Sequence, residues 1–128
     1  ARVRLCVGSY PAGRAVSHVT EHDKALALVR CLRILMESRA YPMLATHDPR
    51  IIELAQELAL RNGRGPESFE YQMFHGVRPL EQRRLADIGL RCRTYIPFGP
   101  GWYGYLATRM AARPRILFSY ARALLDKR

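Results

Sequence analysis

Polar residues able to do chemistry gather where the apolar runs of this chain stop. Arg4 and Tyr10 bracket the first run, Thr46-His47-Asp48 close the second, Gln72 and His75 belong to the third, and Tyr95 to the fourth. Trp102-Tyr103-Gly104-Tyr105 and then Arg109 follow. Three chemistries compete for this set. A metal hydrolase would draw ligands from His47, Asp48, His75 and Glu70, although no His-x-His or HExxH spacing is present. A structural role would leave Asp48 as a helix cap and the histidines as hydrogen-bonding partners, and capping is the favoured reading of Asp48. Arginines accompanied by tyrosines suit a third chemistry, the holding of a small carboxylate beside an aromatic group.

The elements that must position these residues follow from periodicity. Arg2–Ser9 alternates Val3, Leu5 and Val7 with charged or small residues, the pattern of a strand. Tyr10–Arg14 carries the Pro and Gly of a loop. Thr20 with Asp23 forms a capping box with the shorter acid, and a helix over Glu21–Ser38 presents Leu26, Val29, Leu32, Leu35 and Met36 on one broad face. Pro42 stops that helix, and Pro42–Thr46 is a short buried strand. Asp48-Pro49 opens a second helix reaching Arg61, with Gly63 at its end. Phe69–Phe74 is an aromatic-rich strand, Pro79–Ile88 a basic helix closed by Gly89, and Leu90–Ile96 a fourth strand. Two helices, Trp102–Ala112 and Arg115–Leu125, complete the chain on either side of Pro114.

Strict alternation predicts an α/β fold with parallel strands joined by helical crossovers. It fits either a small doubly wound sheet or half of an eight-unit (β/α)8 TIM-type barrel. Gly8 and Gly76 stand singly and no glycine-rich phosphate loop follows a strand, which favours the half-barrel. The expectation is a single domain over residues 1–128, with four parallel βα units plus an extra C-terminal helix. In either case ligands collect at the carboxyl ends of the strands. The first and fourth strands would leave unpaired edges, which invite pairing with other chains. The sequence starts almost inside a strand without a methionine, as a piece of something longer would.

The 128 residues are 48% apolar and 25% charged, which excludes collagen-like, low-complexity and wholly disordered chains. The longest uncharged stretch, Thr94–Thr108, is interrupted by prolines and glycines and falls short of a bilayer span. No secretory signal is visible. Cys6, Cys31 and Cys92 form no CxxC pair, so neither a disulfide framework nor a zinc cage is indicated and a cytoplasmic setting fits best. Net charge is +10, nearly all from arginine. The arginines are scattered rather than run together, so solvated helix faces and a few working arginines account for them better than nucleic-acid binding does. A non-catalytic basic interaction module is the alternative from another class.

RVRLCVGSY, YPMLATHD, FEYQMFHGVR, RTYIPFG and WYGYLATRMAARP, in this order, resemble the C-terminal half of the proline dehydrogenase barrel. The resemblance extends over essentially the whole chain. It implies an FAD enzyme that oxidises L-proline, or a related cyclic amino acid, to Δ1-pyrroline-5-carboxylate and passes electrons to a membrane quinone, with possible peripheral membrane association. The remaining half-barrel would come from upstream sequence, another chain or self-association. Carried over by motif, Arg4 matches the arginine that hydrogen-bonds flavin N5, and it takes a catalytic role with Tyr95. Val7, Gly8 and Ser9 match the segment along the cofactor, Thr46 and His47 the pair at the pyrophosphate and ribose, and Gln72 a further cofactor contact. Tyr95 matches the tyrosine packed on the substrate ring, and Tyr10 and Tyr105 match other aromatic positions of the proline pocket. Arg109 matches the second arginine of a carboxylate clamp, with Thr108 beside it. The family pattern on this last helix is Arg-Arg-x-x-Glu, whereas Thr108 and Ala112 stand here for the first arginine and the acid. Loss of one charge-assisted hydrogen bond implies proline binding weaker by about 10- to 100-fold. Val7 also replaces a cation beside the cofactor.

Overall fold

A computed structural model describes residues 1–8, 12–13, 15–105 and 107. Strands β1 (Arg2–Cys6), β2 (Tyr41–Ala45), β3 (Glu70–Phe74) and β4 (Cys92–Tyr95) alternate with helices α1 (Glu21–Glu37), α2 (Pro49–Arg61) and α3 (Pro79–Asp87). All three strand pairings are parallel and the sheet order is β1-β2-β3-β4. Each strand therefore lies beside the next one in sequence, without the order reversal of a doubly wound sheet.

Period-two alternation sorts the strand residues onto two faces. Leu44, Tyr71 and Met73 turn toward the helices and pack with Leu32 and Met36 of α1, Ile52, Ala55 and Leu58 of α2, and Leu85 of α3. The Tyr71 hydroxyl, buried in this core, donates to the carbonyl of Ile52 at 3.1 Å. Arg2, Arg4, Tyr41, Glu70, Gln72, Phe74, Arg93 and Tyr95 have the opposite parity. They make the second face of the sheet polar and aromatic.

The helix signals of the sequence correspond to real caps. The Thr20 hydroxyl accepts from the Asp23 N–H at 3.0 Å and donates to the Asp23 carboxylate at 2.7 Å, so the shorter acid returns to the hydroxyl. Asp48 accepts from the Arg50 N–H at 3.0 Å. At the end of α2, Gly63 adopts φ +62°, with Arg64 N–H donating to Ala59 O at 2.8 Å and Gly63 N–H to Leu60 O at 3.2 Å. This is the Schellman pattern, and Gly89 repeats it after α3 with φ +81°. A β-carbon at Gly63 would meet open space, so the cost of Gly63→Ala is that of the left-handed backbone alone. We expect about 1 kcal/mol of destabilisation in a urea titration.

Several boundaries differ from the sequence reading. β1 ends at Cys6, β3 begins at Glu70, β4 is limited to Cys92–Tyr95, and a 3-10 turn at Pro66–Ser68 was not anticipated. Pro42 does not stop α1, because Ser38 already caps it through bonds from its N–H to Ile34 O and Leu35 O. Pro42 lies inside β2, where the β2–β3 ladder opens only at Met43↔Glu70. The donor that proline lacks falls just outside that ladder. Trp102–Tyr105 and Ala107 are helical; the rest of that helix and the helix expected over Arg115–Leu125 lie outside the described residues.

Candidate functional site

The polar face of the sheet carries the candidate site. β1 and β4 are its opposite edges, three strand spacings apart, which is about 14 Å in a flat sheet. Arg4 of β1 nevertheless places its guanidinium carbon 5.4 Å from the ring centroid of Tyr95 on β4. Side chains standing upright on a flat sheet would not meet over that span, so the polar face is concave.

Aromatic contacts continue from this pair. Tyr95 meets Phe74 edge to face at 5.3 Å, Phe74 stacks on His47 at 5.6 Å, and Tyr105 lies 6.4 Å from Phe74 and 6.5 Å from Tyr95. His47 is fixed at both ends. Its Nε2 accepts from the Phe74 N–H at 3.0 Å and its carbonyl accepts from Arg78 at 2.9 Å. Since Nε2 is an acceptor, the neutral ring carries its proton on Nδ1. Thr46 accepts from the Asp48 N–H at 3.1 Å, and the next strand-end joint is a bond from His75 N–H to Tyr95 O at 3.0 Å. Arg4, Tyr95, His47 and Tyr105 are thus brought together at one rim, with Phe74 as the hub that sequence reasoning missed. Its parity with Glu70 and Gln72 on β3 was the available signal.

Below the rim lies an ionic floor. Glu70 is 1% exposed. One oxygen accepts from Arg93 Nε at 2.9 Å and Gln72 Nε2 at 2.8 Å; the other accepts from Arg93 Nη2 at 3.0 Å, Tyr41 OH at 3.3 Å and Arg2 Nη2 at 3.4 Å. The bidentate Arg93 fork above all, with Gln72 and Tyr41, holds this carboxyl down at about 2 against the opposing effect of burial. Arg2 and Arg93 contact the single carboxylate of the strands and Arg4 shares their face of the sheet, so the concave wall carries excess positive charge.

Other expected site residues divide as follows. Gln72 belongs to the floor, Val7 is half-buried and Gly8 is exposed beyond the end of β1. Ser9, Tyr10, Thr108 and Arg109 lie outside the described residues. Asp48, the cap of α2, is paired with Arg50 at 2.8 Å, and that hydrogen bond keeps its carboxyl below the usual range. Among the described residues no three His, Cys, Asp or Glu side chains form a metal-binding group. The proposed ligands of the hydrolase alternative are divided between the rim, a helix cap and the floor.

The sequence model of the family described as proline dehydrogenase matches residues 19–110. This chain belongs to the proline dehydrogenase family. Among curated relatives it is 32% identical to proline dehydrogenase 1 of Bacillus subtilis (strain 168) over 98% of its own length and 41% of the relative's. It is 34% identical to the proline dehydrogenase of Deinococcus radiodurans over 88% of this chain and 36% of that one. It is 33% identical to proline dehydrogenase 2 of B. subtilis (strain 168) over 92% and 39%. The chain thus spans about two-fifths of the length of the proline dehydrogenases it matches. The family match covers α1 through Tyr105 and so includes His47, Phe74 and Tyr95 of the rim. No helix among the described residues is long and apolar enough to cross a membrane.

Proposed function

We propose that this chain is the C-terminal half of a proline dehydrogenase barrel, one domain over residues 1–128, whose concave polar face lines an FAD and proline site. The observation that carries this reading is the meeting of Arg4 and Tyr95 across the sheet. Consecutive parallel order, helices packed on one face and a concave opposite face support a (β/α)8 segment. The other units of such a barrel would pair at the sheet edges that β1 and β4 form among the described residues, supplied by upstream sequence, a second chain or self-association.

The residues present fit a flavin. A wall with three guanidinium groups and one carboxylate favours an electron-rich ring system, and the aromatic rim offers it flat surfaces. When bound, FAD supplies the acceptor for two electrons. Arg4 would hold a positive charge beside that acceptor and so favour its reduced, anionic form. Gln72, Thr46 and His47, with Val7, Gly8 and Ser9, hold the cofactor. Tyr95, Tyr10 and Tyr105 enclose the pyrrolidine ring, and Arg109 with Thr108 binds its carboxylate. Oxidation breaks the C5–H bond, removing the hydrogen with its two electrons; the amine loses a proton and a C=N bond forms. Orienting the ring supplies most of the acceleration. A quinone takes the electrons onward at a membrane surface, and the protein itself is cytoplasmic or peripherally attached.

The test is anaerobic reduction of the FAD-loaded protein by L-proline, followed as loss of the yellow absorbance. Wild type bleaches, and Arg4→Ala and Arg109→Ala each bleach about 10- to 100-fold more slowly, the cost of one lost charge-assisted contact. Bleaching of both variants at the wild-type rate removes the residue assignment. A colourless wild-type protein that proline leaves unchanged removes the flavoenzyme reading.

A further inference from the structure

Glu70 is the only acidic residue in the four strands, and it is buried at the foot of the proposed cofactor wall. Its contact with Gln72 is directional. An ionised carboxylate only accepts hydrogen bonds, so of the two ends of the Gln72 amide it admits the nitrogen, which donates at 2.8 Å. The flipped amide would set a carbonyl oxygen against a carboxylate oxygen. Arg93 holds the carboxylate in turn through two parallel bonds of 2.9 and 3.0 Å, a geometry that fixes both groups in orientation. Since the carboxyl stays ionised down to about pH 2, the constraint operates at any ordinary pH. Among the described residues no donor is bonded to the other end of the amide, the Gln72 carbonyl oxygen.

We propose that Glu70 is a positioning residue that locks the Gln72 amide so that the wall offers a hydrogen-bond acceptor, selecting an N–H or hydroxyl group of the bound cofactor. This rests on the flavin reading given above and adds to it the polarity of one contact. A wall that could flip freely would accept either a donor or an acceptor; with Glu70 ionised it discriminates. Arg93, which has no part in the proposed chemistry, acts one step further back by keeping Glu70 in place.

The experiment is a cycle of three variants, Glu70→Gln, Gln72→Leu and the double change, each titrated with FAD. Fluorescence quenching gives the dissociation constant, the visible spectrum of the bound flavin is recorded, and a thermal melt accompanies each titration. Gln72→Leu removes one neutral donor from Glu70 but keeps its charged partners Arg93 and Arg2, so it reports on the contact even if Glu70→Gln folds poorly. Each single change is expected to weaken FAD binding about 3- to 10-fold, the cost of one neutral hydrogen bond. The double variant should bind no more weakly than Gln72→Leu alone, because Glu70 acts through Gln72. A purely structural Glu70 would lower the melting temperature and leave affinity and flavin spectrum unchanged, or would add its loss in full to that of Gln72→Leu; either result overturns the proposal while the flavin reading stands. Wild-type protein that binds no FAD overturns both.

Discussion

Replacing Arg64 by alanine lowers the stability of this fold by about 3 kcal/mol in a urea titration, and Arg64→Lys recovers only part of the loss. The last carbonyls of an α-helix lack partners within the helix, and the final turn of α1 contains no basic residue of its own. Arg64, whose N–H closes the Schellman turn after α2, supplies further donors from outside α1. Its Nε donates to Met36 O at 2.7 Å, Nη2 to Leu35 O and Ala40 O at 3.1 Å and also to Ser38 O, and Nη1 to Ser68 O at 3.2 Å. One guanidinium thereby ties the end of α1, the entry to β2 and the turn before β3. Hydrogen bonds to a charged group contribute about 1.5–3 kcal/mol each when removed singly. These bonds share one side chain and are part-buried, so losing them together costs well below the sum of the single removals. Lysine keeps the charge at the negative helix end but not the fork. A loss under 1 kcal/mol for the alanine variant would show that water replaces the guanidinium without penalty.

The helices were the legible part of the sequence because their signals are local. Thr20, Asp48-Pro49, Gly63 and Gly89 each state a cap within a few residues of where it forms. Strand limits were less so, since a strand stops where its neighbour stops: Pro42 reads as a breaker until the register places it beneath the first rung of the β2–β3 ladder. The candidate site residues were read from their place at strand ends. Their mutual geometry depends on curvature, which no local pattern encodes; Arg4 and Tyr95 are separated by most of the chain and meet only because the sheet bends. Glu70 is the sharpest case. Its type suggested a metal ligand, and its role in the floor depends on Arg93, which only the pairing of β3 with β4 brings within reach. Arg64 carried no signal at all, being one arginine among many beside a loop.

The pH dependence of stability below pH 5 should trace largely to Glu70. In the folded chain its carboxyl titrates at about 2, against an ordinary value of 4.5. A depressed folded-state value means that the ionised form is the one the fold stabilises, so the contribution is complete above about pH 5 and disappears as the pH falls toward 2. A difference of about 2.5 units corresponds to roughly 3 kcal/mol. Asp48 and Glu81 are held below their usual range by Arg50 and Arg84, and they lose stability with the same sign. Wild type alone therefore does not isolate Glu70, whereas comparison with Glu70→Gln does. Glutamine has nearly the shape of the protonated acid and cannot ionise. At pH 6 the variant should be less stable than wild type by about 3 kcal/mol, because Arg93 and Arg2 are left facing a neutral amide. By pH 2 the two proteins should converge to within about 0.5 kcal/mol, since wild-type Glu70 is then about half protonated in the fold and almost fully protonated in the unfolded chain. Curves that remain parallel from pH 6 to pH 2 would mean that the charge of Glu70 does not contribute to folding and that the cluster is held together by shape alone.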